Sequence, residues 1–498
     1  MKTLWILGDQ LTHHHPILTQ YDDSSTILII ESQNRWKKMP YQRKRLVLLI
    51  SAMRHYANKL KERGFKVDYI KAHTFSAGWQ AHLKNQKPAE IVTMAAASYP
   101  GRQFQQKLSE TVNIPVTLLK NTQFLTGIYN PIPNPQANKR YVMETFYRQM
   151  RKRFDLLMEN GQPMGGQWNF DKDNRKKLPK HDAPPAPPVF KPDAITQEVM
   201  AEVAQLKHAI GTVEGFDYAV THCDAKRAFE IFLNERLTKF GDYEDALTPR
   251  SHLLYHSALS PYLNLGLLEP LPLVQAAQQA LLDGNAPINA VEGFVRQIIG
   301  WREFMYWQYW RQMPGMENKN AWGAKRPLPQ FFNTGQTNMA CLHHAINRAI
   351  DTGYNHHIER LMLLCNYFML AGIKPKVAND WFLSLYIDAY DWVMPPNVIG
   401  MGLNADGGLT ATKPYIASAN YINKMGDFCK SCFYNPKKRT GEDACPYNFL
   451  YWNFILEHEA KLRANPRTSR NVLGLRYLDE AEKERVQAQA KQFLNNLE

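Results

Sequence analysis

Along the first 125 residues, short apolar runs alternate with longer stretches in which apolar positions recur at helical spacing. Residues 3–8, 26–31, 66–71, 90–95 and 116–119 read as β-strands. Between the second and third, KRLVLLISAMRHYANKLKERG carries Leu46, Leu49, Ile50, Met53, Ala57 and Leu60 on one face. It predicts an amphipathic helix ended by Gly64. This alternation predicts a parallel, Rossmann-like α/β domain over residues 1–125, in which ligands bind beyond the carboxyl ends of the strands. Gly8-Asp9-Gln10 leaves the first strand at such an end. It is not the G-x-G-x-x-G fingerprint, so an ordinary turn and a ligand-holding turn both fit it.

The pattern then changes. Residues 126–215 read as a connection: a basic helix-like KRYVMETFYRQMRKRF, a Gly-rich NGQPMGGQWNFDKDNRKK, and DAPPAPPVFKP, expected to be extended and stiff. From about Phe216 strand alternation stops and helical patterns dominate, predicting a larger all-α domain over residues 216–498 with no internal repeat.

Composition narrows the class. At 498 residues, 44% apolar and 12% aromatic, the chain is neither disordered nor fibrous, and it is long enough for more than one core. Its longest apolar run, residues 361–370, is about half of what crosses a bilayer, so no membrane partner is expected. MKTLWILGDQLT interrupts its apolar stretch at Gly8, which predicts a cytoplasmic protein. The 60 Lys and Arg exceed the 46 Asp and Glu by 14, a balance that suits a polyanionic partner or a generally solvated basic surface.

Three motifs carry candidate chemistry. Cys429-x2-Cys432-x12-Cys445 places three of six cysteines within 17 residues, and Cys341 in MACLHH is the best fourth member, since Cys365 sits in an apolar run and Cys223 lies far upstream. Four thiolates fit a [4Fe–4S] cluster or a structural zinc, and unliganded thiols remain a third reading. In TPRSHLLYHSALSPYLNLGLL, Ser257 and Ser260 before Pro261 form either a phosphate-binding turn or a helix cap. FVRQIIGWREFMYWQYW is dense in tryptophan, which suits a core stripe, a stacking surface or an electron relay.

Together LSPYL, GWREF and WFLSLYIDAYDWVMPPNVIGM resemble the FAD-binding helical domain of DNA photolyases and cryptochromes, and the cysteine set with YNHHIERLM is similar to the iron–sulfur bacterial members, the prokaryotic (6-4) photolyases. The resemblance spans essentially the whole chain. It implies an α/β antenna domain, a linker and an all-α FAD domain. It further implies FAD phosphates near Ser257, Leu259 and Ser260 and the isoalloxazine near Asp388 and Asn397. A 6,7-dimethyl-8-ribityllumazine antenna is expected near Asp9 and Glu31, and a [4Fe–4S] cluster on Cys341, Cys429, Cys432 and Cys445.

The implied activity is blue-light repair of (6-4) photoproducts in UV-damaged DNA by a monomer; the alternative is a photoreceptor that signals without repair. His356 is expected as proton donor and His357 as its support. Trp301, Tyr415 and Tyr421 are expected at the lesion, with Lys413, Lys424 and Arg175 on phosphates and Mg2+ bridging Asp171 and Asp245. Trp381 stands in the segment expected to hold the electron relay. Phe382 and Asn333 stand where redox-active aromatics are expected, a departure from the family pattern.

Overall fold

The computed structural model describes residues 1–497. Five strands, β1 (Lys2–Ile6), β2 (Thr26–Ser32), β3 (Val67–Ala72), β4 (Glu90–Met94) and β5 (Val116–Leu119), form one sheet in the order β3-β2-β1-β4-β5. Every pairing is parallel, with Thr3 opposite both Thr26 and Ile91. The predicted strands are all present, shifted by one or two residues at their ends. The order reverses between β1 and β4, and there a doubly wound sheet opens its crevice.

The helix Arg43–Glu62 covers one face. The Gln42 side chain accepts from Arg45 N at 3.2 Å at its start, and Gly64 at φ 88° follows its end. Leu46, Val47, Ile50, Tyr56 and Leu60 are buried on it, each worth about 1.5–3 kcal/mol of transfer free energy.

Residues 126–215 are more than a linker. The helix Met143–Phe154 buries Phe146, Tyr147 and Met150 against the 296–302 segment, and Ala194–Ala204 lies on Arg43–Glu62. The proline run is held by the buried Arg236 guanidinium, which donates to Pro185 O at 2.8 Å, Ala186 O at 2.6 Å and Leu254 O at 2.6 Å. Beyond residue 216 the described chain is helical, as expected.

The α/β part and the helical part share one wall. Arg45 lies 4.6 Å from the Tyr41 ring and 5.6 Å from the Tyr390 ring, and donates to the carbonyls of Leu383 and Ala389. Gln42 N donates to Ser384 O at 2.9 Å, and Leu11 N to Leu265 O at 2.8 Å. Hydrogen bonds from a charged donor contribute about 1.5–3 kcal/mol each, so Arg45→Met is expected to lower the unfolding free energy by about 3 kcal/mol in urea titrations. An unchanged midpoint would show that the clamp carries no stability.

Candidate functional site

Three stretches of the helical domain, Arg296–Arg302, Glu359–Cys365 and Pro396–Gly402, are π-helical. Wide turns of this kind interrupt α-helices mostly at functional sites, because the extra residue re-aims neighbouring side chains. All three border one cavity of about 250 Å³, contributing Gln297, Trp301 and Arg302 from the first, Arg360 and Cys365 from the second, and Asn397 and Met401 from the third. Neither apolar spacing nor any single motif signals these turns.

Ser257, Leu259, Ser260, Asp388 and Asn397 all line this cavity. Ser260 does not cap the helix Ser260–Leu265: its Oγ donates to Asp388 Oδ2 at 2.6 Å. Arg360 grips the same carboxylate with two nitrogens, at 2.9 and 3.1 Å. Ala258, at φ 52°, holds a left-handed backbone that only the surrounding contacts can enforce.

The histidine pair is arranged opposite to expectation. His356 is fully buried, stacks on His256 with ring centres 4.5 Å apart, and has neither ring nitrogen hydrogen-bonded among the described residues. His357 is the one that reaches the cavity. His357 is solvent-exposed there, with crowding by its neighbours and then the Arg360 charge lowering its pKa, whereas burial lowers that of His256 to about 3. Glu244 was not foreseen: it lines the same cavity, accepts from Gln297 at 2.8 Å and Asn174 at 3.2 Å, and is pushed up to about 8 by burial and by Asp245.

Beside Glu244 the chain forms an ionic knot. Arg175 bonds Asp171 and reaches Asp245 at 4.0 Å, which sets a guanidinium against both carboxylates. Among the described residues no three His, Cys, Asp or Glu side chains converge closely enough to share a single ion. Burial pushes Asp245 up to about 6. Burial, then Asp245 for Tyr421 and Asp171 for Tyr415, raises the hydroxyl pKa of these half-buried tyrosines; Lys413 and Lys424 are exposed.

A second cavity, about 320 Å³, opens where the sheet order reverses. Asp9 lines it, pushed up to about 6 by burial, among the rings of Trp5, Trp36, Tyr41, Phe75 and Tyr390. Glu31 does not line it. Strand alternation turns Ile30 and Ser32 to the cavity and Glu31 to the other face, where Arg54 holds it at 3.1 Å and Tyr69 donates to it. Tyr390 and Asp391 face this cavity while Asp388 and Trp392 face the first, so one short segment walls both.

Cys341, Cys429, Cys432 and Cys445 line one small hollow with Met339, Ile422, Phe428 and Tyr447, so the long-range choice of Cys341 is the one that meets the other three. Burial, then the neighbouring thiols, raises the Cys341 pKa. Cys365 lies at the first cavity instead. Trp381 is buried behind Phe382, ring centres 5.2 Å apart, and of the two only Phe382 borders that cavity.

A (6-4) photolyase from Agrobacterium fabrum is 39% identical over 99% of both chains. The chain belongs to the (6-4) photolyase family. The family model for deoxyribodipyrimidine photo-lyase-related proteins also matches residues 4–218. Among solved structures, a class III photolyase from Agrobacterium tumefaciens is similar over 97% of this chain and 91% of its own, with a TM-score of 0.58 at 13% identity. A cryptochrome from Synechocystis sp. PCC6803 covers 100% and 99%, with a TM-score of 0.59 at 12% identity. The architecture is thus the photolyase/cryptochrome fold, α/β then all-α.

The buried histidines make a prediction about acid stability. His15 and His256, both at about 3 in the folded chain against 6.5 when exposed, bind protons only on unfolding between those values. Stability is therefore complete above about pH 6.5 and falls as pH drops toward 3, by about 2 kcal/mol per histidine at pH 5. Urea titrations at pH 7.5 and 5 check this, and a His256→Asn variant should show a shallower loss.

Proposed function

We propose that the chain repairs (6-4) pyrimidine–pyrimidone photoproducts in DNA under blue light, the activity that its Agrobacterium fabrum relative is named for. The observation that carries this reading is His357 facing, in one cavity, the Asp388–Arg360–Ser260 cradle and Trp301. The residues present suit FAD. Ser257, Ser260 and Asn264 offer polar contacts at one part of the wall, Leu361, Val398 and Met401 supply apolar surface, and Arg302 Nε is buried without a partner among the described residues. Bound there, reduced FAD would supply the light-excited electron that a covalent bond between bases requires.

The chain's own groups do the rest. Trp301, Tyr415 and Tyr421 give an extruded base aromatic surface, which offsets the cost of leaving the stack. His357, neutral in the free chain, keeps one ring N–H. Approaching phosphates favour its protonated form and so make it a proton donor to the lesion's hydroxyl transfer. His256 lines the same cavity and stacks on the buried His356.

Two further groups belong to the proposal. The four cysteines are the right donor set for a [4Fe–4S] cluster, whose ligands must stand around a body several ångströms across rather than one ion. The aromatic walls and Asp9 of the second cavity suit a flat, polar heterocycle such as 6,7-dimethyl-8-ribityllumazine, close enough to pass excitation through the shared Asp388–Trp392 wall.

Illuminating the reduced protein with an oligonucleotide carrying one (6-4) lesion should restore intact thymines, and no restoration with flavin bound and reduced would overturn the reading. His357→Asn should slow restoration about 100-fold or more at unchanged flavin content, as loss of a general acid does. Cys341→Ser is expected to lose most of about four irons per chain, measured by iron and sulfide analysis.

A further inference from the structure

The basic stretch of residues 139–153 holds Lys139, Arg140, Arg148, Arg151, Lys152 and Arg153 against one carboxylate, Glu144. Its helix buries an apolar face together with Arg151 and leaves Arg148 and Lys152 exposed, with Arg148 Nε donating to Glu144 at 2.9 Å. Trp168 lies across them. Its ring centre is 5.2 Å from the guanidinium carbons of Arg148 and Arg151 and 5.6 Å from Lys152 Nζ. Arg151 is buried and spends its donors on the carbonyls of Leu156, Leu157 and Trp168, which anchors the indole to the helix. Arg296 donates to the same Trp168 carbonyl at 3.3 Å. The indole is half-buried, while Arg148 and Lys152 are exposed beside it.

Trp168 is tied to the cavity wall through Arg296, the residue before the cavity-lining Gln297. Three Cα–Cα steps lead from Trp168 to Asp171, a reach of at most about 11 Å. Asp171 joins Arg175 and Asp245, next to the cavity-lining Glu244. An aromatic ring flanked by exposed cations suits a base's π-face and the phosphates on either side of it, whatever the sequence. We propose that Trp168, Arg148 and Lys152 form a second nucleic-acid contact, which holds the strand flanking the base that enters the cavity. This rests on the reading of the chain as a DNA-repair enzyme and extends its binding surface beyond that cavity.

The test uses the full-length holoprotein and a fluorescent, undamaged single-stranded oligothymidine, titrated across a salt series. Arg148→Gln with Lys152→Gln should reduce the slope of log affinity against log salt by about 1.5, near 0.7 for each phosphate that the protein no longer neutralises. Trp168→Ala should weaken binding about tenfold at constant salt, and Trp168→Phe should recover most of it, because a phenyl ring still stacks. Flavin absorbance and thermal melting of each variant verify folding. An unchanged slope, or Trp168→Phe as weak as Trp168→Ala in folded protein, overturns the platform. Failure of the repair reading looks different: the unsubstituted protein would bind the oligonucleotide with the expected slope yet leave the lesion intact under light.

Discussion

One buried ion pair organises the functional half of the molecule. Arg360 grips Asp388 with two nitrogens, Ser260 donates to the same carboxylate, and Asn264 donates to the Asp388 carbonyl at 2.8 Å. Breaking such a pair leaves an uncompensated buried charge, costing about 3–5 kcal/mol. The pair fixes the start of a segment whose next residues face alternately into two cavities, Tyr390 and Asp391 into one and Trp392 into the other. From the α/β side, Arg45 ties down the same segment through the Leu383 and Ala389 carbonyls. Two cavities built by different architectures thus depend on one wall held from both sides.

Electrostatics in the site follow from dehydration more than from charge count. The chain carries a net +14, yet Glu244 lines the cavity with Asp245 beside it in sequence and Asp171 across Arg175, and burial is the largest cause of the upward shifts of the first two. Burial likewise keeps His256 neutral. Arg175 neutralises part of the acidic knot, so a residue expected on phosphate is engaged within the protein. The excess of positive charge lies elsewhere, much of it on the exposed side of residues 139–153.

Much was legible along the chain where the physics is local. Strand alternation located all five strands, because one face or both must be apolar to bury a parallel sheet. Spacing put Cys429, Cys432 and Cys445 together, and family resemblance placed the Ser257–Ser260 turn and Asp388 at one cavity. The roles that hang on side-chain direction were not legible. His356 and His357 are adjacent, and only the packing of His256 decides which one reaches the cavity. Glu31 sits at a strand end as expected, but the two-residue period of the strand turns it toward Arg54.

By itself, then, the sequence determined an α/β domain followed by helices, a four-cysteine set and the segments that would surround a flavin, since these depend on periodicity and on residue type at fixed spacing. Tertiary structure decided the rest. It brought Cys341 to the other cysteines, filled the Asp171–Asp245 gap with Arg175, and widened three helices into π-turns around one cavity. It also drew residues 126–215 out of the role of a linker and into the core. The reason is physical: contacts between residues far apart in the chain are fixed by how faces pack, and no local pattern records which faces will meet.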